Sequence, residues 1–368
     1  NKADYKIKQK IKLNSISPEE KIKVLMEAEK EMRSADTKVE STYMSLSDLD
    51  TMSYYVNSDG SKIKSSIPSC EFVYVVGIRE GNKTSQRYSQ LGASGGFEAV
   101  KNFNIPSKLR SEVEAMKNNL RNGKKPPAGI IDAVLGPEVT GIIAHESGGH
   151  PYEADRIFGR EAAQAGESFV SKEMIGRKLV SEAVNVVDDP TLEGSFGFYL
   201  YDDEGVKARR KFILKNGVIT EFLHNRQTAK MMGLKSNGSS RSNAFDKEPL
   251  IRMSNTFFLP GGYTEEELIE DVKLGVYIKN FMEWNIDDKR INQKYVGSES
   301  YLIKNGEIKH PIIAPKIETT TFKLYPSIDA CGKNLEFSGG SCGKSEPMQG
   351  IPVLLGGPSI RVRGLKVS

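Results

Sequence analysis

The spacing of apolar positions changes several times along the chain, and each change predicts an element. From Ser17, "SPEEKIKVLMEAEKEMRSA" sets Ile22, Leu25, Met26 and Met32 at helical intervals behind a Ser-Pro-Glu-Glu opening, which predicts an amphipathic helix. Between Thr51 and Gln90 the pattern becomes strand-like. β-formers alternate there and are broken by Asn-Ser-Asp-Gly and Glu-Gly-Asn-Lys, as in hairpins of an antiparallel sheet. A second helical stretch, "PSKLRSEVEAMKNNLRNG", stops at Gly123, and the following "KKPPAG" marks a break. The expected organisation is an N-terminal α/β domain over residues 1–125 and a β-rich domain over 126–368.

Downstream the apolar runs are short and separated by Gly-rich turns. "KFILKNGVITEFLHN" and "SYLIKNGEIKHPI" each place Lys-Asn-Gly between two strand-like runs, a strong hairpin pattern. Two hairpins without a fixed period are not a repeat architecture. One more helix is expected at "TEEELIEDVKLG". The predicted fold class is therefore α+β, with a largely antiparallel second domain.

Composition narrows the function more than the fold. With 52 Lys+Arg against 48 Asp+Glu, scattered rather than massed, the net charge is only +4, so nucleic acid is not an expected partner. No apolar run reaches the roughly 18 residues of a membrane span. Three cysteines, Cys70, Cys331 and Cys342, are too few for a disulfide framework and point to a reducing, cytoplasmic setting. The chain opens on "NKADYKIKQK" without Met, so the first domain is expected to lack its initial segment.

The candidate chemistry lies in "GIIAHESGGHPYEAD". Pro137 and Glu138 open a helix there, and "EVTGIIAHE" gives it apolar positions, so His145 and Glu146 are expected well inside it. A zinc helix usually spaces its histidines four apart, whereas His145 and His150 are five apart. In an ideal helix five residues turn through roughly 140° beyond one turn, so a widened π-type turn is expected to realign them. Gly148 and Gly149 make that distortion cheap, although each costs a helix about 1 kcal/mol. Two neutral imidazoles suit Zn²⁺, and the adjoining Glu146 suits a base that takes a proton from water and passes it to a leaving amine. A third donor must come from elsewhere: His224, His310, an acid or a thiol. Cys342, in the Gly-dense "FSGGSCGKSEPMQGIPV", is one such thiol; its rival reading is a disulfide with Cys331.

These motifs resemble the TldD/PmbA family of metallopeptidases, whose active members carry His-Glu-x-x-x-His and a later Gly-x-Cys-Gly-Lys. Here the two motifs read "HESGGH" and "GSCGK". The resemblance continues through "VVDDPTLEGSFGFYLYDDEGVKARRKFILKNGVITEFL" and "IRMSNTFFLPGG", covers residues 128–368, and extends more loosely to "YYVNSDGSKI" upstream. One departure is Asp188-Asp189-Pro190-Thr191, where the family usually has Asp-Asp-Gly-Thr. The resemblance implies one zinc per subunit on His145, His150 and Cys342, with Glu146 as general base. It also implies a peptidase acting on unfolded peptides inside a dimeric chamber. Since some members pair with a subunit lacking the motif, the expected assembly is a homodimer or a heterodimer with an inactive paralogue.

Other residues carry weaker expectations. Cys70 and Cys331 are read as structural, and His224 and His310 as surface or strand histidines. Tyr152, Glu153 and Asp155 either orient an imidazole or are ordinary polar and capping residues. Arg252 and Asn255 either contact a peptide main chain or oxyanion, or serve a structural ion pair. "SGGSCGKS" is not a phosphate loop, because Ser338 stands where the loop needs Gly and "EPMQGIP" blocks the following helix. The rival to an enzyme is a metal-stapled peptide-binding protein. That role needs a fourth protein ligand and has no use for Glu146.

Overall fold

The computed structural model describes residues 1–35, 37–160 and 167–368. Its first part runs β1 (Lys2–Lys6), α1 (Pro18–Arg33), β2 (Lys38–Val56), β3 (Lys62–Glu80), β4 (Lys83–Ser94), α2 (Glu98–Asn102) and α3 (Ile105–Asn122). α1 begins where Ser17 and Glu20 cap each other: the Ser17 hydroxyl accepts the Glu20 N–H and the Glu20 carboxylate accepts the Ser17 N–H. This reciprocal bonding satisfies donors that a helix start leaves open. β2, β3 and β4 form the expected antiparallel meander. β1 joins β3 in parallel, a long-range pairing with no local sequence pattern.

Alternate residues of β3, namely Phe72, Tyr74, Val76 and Ile78, are buried in one core with Leu109, Val113, Met116 and Leu120 of α3. Burying each of the larger apolar side chains contributes about 1.5–3 kcal/mol, which fixes α3 on the sheet.

A second core runs from Ala133 to Val367. There β5 (Gly129–Leu135) lies at the middle of a nine-stranded sheet, parallel to Leu274–Ile278 and antiparallel to Ile360–Val367. A six-stranded sheet has Glu336–Lys344 at its edge, then Gln349–Gly357, Asn255–Phe258, Val186–Asp188, Lys211–Lys215 and Val218–Ile219. The region is not wholly antiparallel, because Asn255–Phe258 also runs parallel to Gln349–Gly357. Both Asn-Gly hairpins form, with φ of 49° and 78° at Asn216–Gly217 and 52° and 77° at Asn305–Gly306. Positive φ at both central residues is what such tight turns demand. The helix in "TEEELIEDVKLG" is shorter than its motif, spanning Glu265–Glu270 behind a Thr264 cap before the chain becomes a strand at Leu274.

Between β5 and the loops that follow lies α4 (Pro137–Gly148), buried at every residue from Val139 to Gly148. A helix buried all round has to be apolar or fully partnered, and its two charged residues bear this out differently. Glu138 in its first turn pairs with Arg87 of β4, which is 1% exposed and also bonds Glu112 of α3 at 3.1 Å and the Phe281 carbonyl at 2.8 Å. That one guanidinium ties the first sheet, α3 and the start of α4 together. Glu146, two turns on, is considered with the site.

Candidate metal centre

α4 ends at Gly148, and the chain continues through Gly149 into a 3₁₀ turn over His150–Tyr152. The Gly149 N–H still bonds the His145 carbonyl in the ordinary i to i−4 manner, so no π-type turn forms. His150 reaches the face of His145 because the helix stops, not because it widens. The Gly-Gly pair has a steric cause as well. A Cβ on Gly149 would lie 1.9 Å from Met253 Sδ, and one on Gly148 would lie 2.9 Å from the Tyr325 hydroxyl. Gly149 has φ of −114°, which any residue adopts, so room and not conformational freedom requires glycine there.

The two rings stand edge to face with centroids 4.7 Å apart. Cys342 comes from the edge strand Glu336–Lys344, where the period of two turns Cys342 and Lys344 inward together. The cysteine's carbonyl accepts from Arg252, which also donates to Gln349 O at 2.9 Å and is fully buried. Cys342 Sγ lies 3.5 Å from His150 Nε2, and the ligand atoms of His145, His150 and Cys342 all fall within 4.8 Å of one another. All three residues are buried. Zinc bonded to nitrogen at about 2.1 Å and sulfur at about 2.3 Å holds tetrahedral neighbours about 3.6 Å apart, so the donor set fits such an ion. His145 Nδ1 has no hydrogen-bond partner among the described residues, another buried polar atom that a ligand would explain.

Behind His150 stands a charged network. Its Nδ1 is 3.0 Å from Glu153 Oε2, which directs Nε2 towards Cys342. The same Glu153 oxygen accepts from Arg156 Nε at 2.5 Å and lies 3.3 Å from Lys344 Nζ, while Glu153 Oε1 has no hydrogen bond among the described residues. Lys344, fully buried, also donates to Asp155 Oδ1 and Ile251 O, each at 2.8 Å. Burial would raise the Glu153 carboxyl, but Lys344, Arg156 and His150 outweigh it and hold it well below the usual range. Burial pushes His150 down to about 4 against the pull of Cys342 and Glu153, and pushes His145 down as well. Both imidazoles are thereby held neutral, the form that ligates metal. Around Cys342, burial opposes the thiolate, but His150 and Arg252 overcome it and lower the thiol.

Glu146 is next to the first histidine and differs from Glu153. Among the described residues its Oε2 makes no hydrogen bond, and Arg290 Nε lies 3.5 Å away. It lines a cleft of ≈ 200 Å³ together with His145, Ile142 of α4, Trp284 and Phe281 of a neighbouring strand, and Ser338–Ser341 of the Cys342 strand.

The structure thus brings His145, His150 and Cys342 together, with Glu146 next to His145, and leaves other candidates out. His310 lies on the strand Glu307–Pro311, outside this cluster. His224 is not a surface residue: it is buried, with Nδ1 3.1 Å from Thr228 Oγ1. Cys331 and Cys342 form no disulfide, and Cys331 Sγ lies 3.4 Å from the Ala183 carbonyl. Cys70 is buried against Gly96 O. Arg252 and Asn255 are occupied structurally, Asn255 holding the Asp189 carbonyl, Ser195 and the Gly197 N–H. Asp189 in the departing Asp-Asp-Pro-Thr segment accepts the Thr191 N–H at 2.9 Å and pairs with Arg210 at 2.7 Å. Glu153 proves to be the residue that orients an imidazole. Arg290 and Lys344 carried no expectation of their own; Lys344 was legible only as part of the Gly-x-Cys-Gly-Lys context, and Arg290 had no signal.

Comparison with known proteins agrees with this geometry. Residues 128–368 match the model of the PmbA/TldA metallopeptidase C-terminal domain, and residues 11–116 match that of the central domain. A metalloprotease of Methanocaldococcus jannaschii is 33% identical over 97% of this chain and 76% of its own length. A zinc metalloprotease TldD homolog of Saccharolobus solfataricus is 30% identical over 85% of this chain and 68% of its own. Among solved structures, a Thermotoga maritima protein described as a modulator of a DNA gyrase superposes with a TM-score of 0.75. It is 21% identical, and the match covers 97% of this chain and 76% of that one.

Proposed function

This chain belongs to the TldD/PmbA family of metallopeptidases, and we propose that it is a zinc-dependent peptidase of unfolded peptides with low sequence specificity. The observation that carries the reading is the convergence of His145, His150 and Cys342 within 4.8 Å, with Glu146 beside them on a cleft. Three donors of this kind among the described residues, rather than four, leave a position open, as catalytic zinc requires and a structural staple does not. When bound there, zinc polarises a carbonyl and acidifies water.

The chain's own residues do the rest. Glu146 receives the proton of the attacking water and returns it to the leaving amine, work that suits a carboxylate with an uncommitted oxygen. Glu153 fixes the ring of His150, and Arg252 fixes the backbone that carries Cys342. Among the described residues the Cys342 strand pairs only with Gln349–Gly357, and its other edge can take an extended peptide by main-chain bonding. Such bonding reads backbone and not side chains, which is the source of the low specificity. The partner in this reading is a second copy of the chain or an inactive paralogue, and the setting is cytoplasmic; no helix among the described residues is long and apolar enough to cross a membrane.

Elemental analysis of the wild type and Cys342→Ser, with hydrolysis of an unstructured peptide, tests the proposal. One zinc per chain that falls together with activity in the variant supports it. Normal zinc without Cys342 moves the third ligand elsewhere, and zinc without hydrolysis in the wild type favours the peptide-binding reading.

A further inference from the structure

Arg290 closes the turn between the strands Phe281–Ile286 and Asn292–Gly297 with a φ of 62°. Three of the other described non-glycine residues with positive φ are asparagines, which tolerate that region far better than arginine does. The turn does not need the arginine side chain. Asp287 alone organises it, its carboxylate accepting the Ile291 N–H at 2.7 Å and the Asn292 N–H at 3.1 Å while its carbonyl accepts the Arg290 N–H at 2.9 Å. A glycine at position 290 would be the unstrained choice.

The side chain is nevertheless turned inward, 9% exposed, and places Nε 3.5 Å from Glu146 Oε2. The backbone beneath it is anchored by a buried chain of polar groups. Thr321 donates to the Arg290 carbonyl, Gln293 donates to Thr321, and the Tyr295 hydroxyl donates to Gln293 at 2.6 Å. Thr321 also bonds the Ile291 carbonyl through its N–H at 2.8 Å. A strained position, held rigidly and aimed at an otherwise unbonded carboxylate oxygen, is the pattern expected where a side chain's placement matters more than its turn.

We propose that Arg290 is a positioning residue for Glu146, its guanidinium fixing the carboxylate towards the cleft. The inference rests on the reading of Glu146 as the base. It adds a part that neither metal motif contains, supplied by a hairpin far along the chain. Arg290 acts through Glu146 and not on the substrate, so its loss affects the chemical step more than binding.

The test compares wild type, Arg290→Gly, Arg290→Lys and Glu146→Gln as full chains loaded with zinc, with kcat and KM measured on an unstructured peptide and zinc content and Tm on each protein. Arg290→Gly is expected to lose about 100-fold in kcat with KM little changed, the scale on which misplacement of a catalytic group is felt. Its zinc content is expected to be that of the wild type and its Tm close to it, because relief of the turn by glycine offsets the loss of the buried cation beside Glu146. Arg290→Lys is expected to recover part of kcat. Wild-type kcat in Arg290→Gly, with Glu146→Gln inactive, overturns the inference and leaves the peptidase intact. A fall in kcat matched by a fall in Tm or zinc also overturns it, by making Arg290 structural. A wild type that hydrolyses nothing overturns the peptidase reading itself, and this role with it.

Discussion

Glu153 and Glu146 lie seven residues apart, on either side of the Gly-Gly pair, and both are almost wholly buried. One oxygen of Glu153 gathers His150, Arg156 and Lys344, and nearby Asp155 shares the lysine. Among the described residues, the corresponding oxygen of Glu146 has no hydrogen bond and one arginine at ion-pair distance, and the residue lines a cleft. A buried carboxylate surrounded by cations is held in its charged form and in place, and so becomes scaffold. Both glutamates keep one oxygen unbonded among the described residues, but Glu146 is tied to no such network and faces the cleft beside His145, so it remains available. Under the proposed function, the contrast separates the residue that holds the site from the residue that works in it.

Substitutions at the two glutamates, and at the lysine that pairs with Glu153, can break that contrast. The largest effect is expected at Glu146. Glu146→Gln should retain one zinc per chain and a near wild-type Tm while kcat falls by about 10²–10⁴-fold, the usual contribution of a positioned base; elemental analysis with steady-state kinetics checks it, and full activity would remove Glu146 from the chemistry. Next is Lys344→Met, which strands Glu153 and Asp155 near one another without their shared cation. Breaking a buried ion pair of this kind costs about 3–5 kcal/mol, readable as a lower denaturation midpoint, and an unchanged midpoint would mean that the network is not scaffold. The smallest of the three is Glu153→Gln. It keeps the shape but weakens the bond to His150 Nδ1, and zinc affinity measured by competition with a chelator should drop by about 10–100-fold. A loss of kcat at saturating zinc in Glu153→Gln as large as that in Glu146→Gln would erase the distinction between them.

What the sequence reveals differs between the two parts of the site. His145, Glu146, His150 and Cys342 are legible because two short motifs carry them, and α1, α3, α4 and both Asn-Gly hairpins are legible because period and capping are local. The need for glycine at 148 and 149 is not, because the reason is Met253 Sδ and the Tyr325 hydroxyl, contributed from far along the chain. The same holds for β1 beside β3 and for the parallel pairs at β5 and Asn255–Phe258, since strand order is a property of packing and not of alternation. Arg290 escapes for a related cause: its turn reads as an ordinary Asp-Asp-Lys-Arg loop, and only its φ and its approach to Glu146 give it meaning. His224 reads as a surface or strand histidine but is buried outside any strand, because a single histidine in a short strand-like run carries no burial pattern.

The central claim is that His145, His150 and Cys342 together hold the metal that Glu146 works beside. The most direct measurement is the absorption spectrum of the chain loaded with Co²⁺ in place of zinc, for the wild type and Cys342→Ser. A thiolate ligand gives a sulfur-to-cobalt charge-transfer band, so the account predicts that band in the wild type and its loss in the variant. A band that persists in Cys342→Ser, or is absent from the wild type, would contradict it.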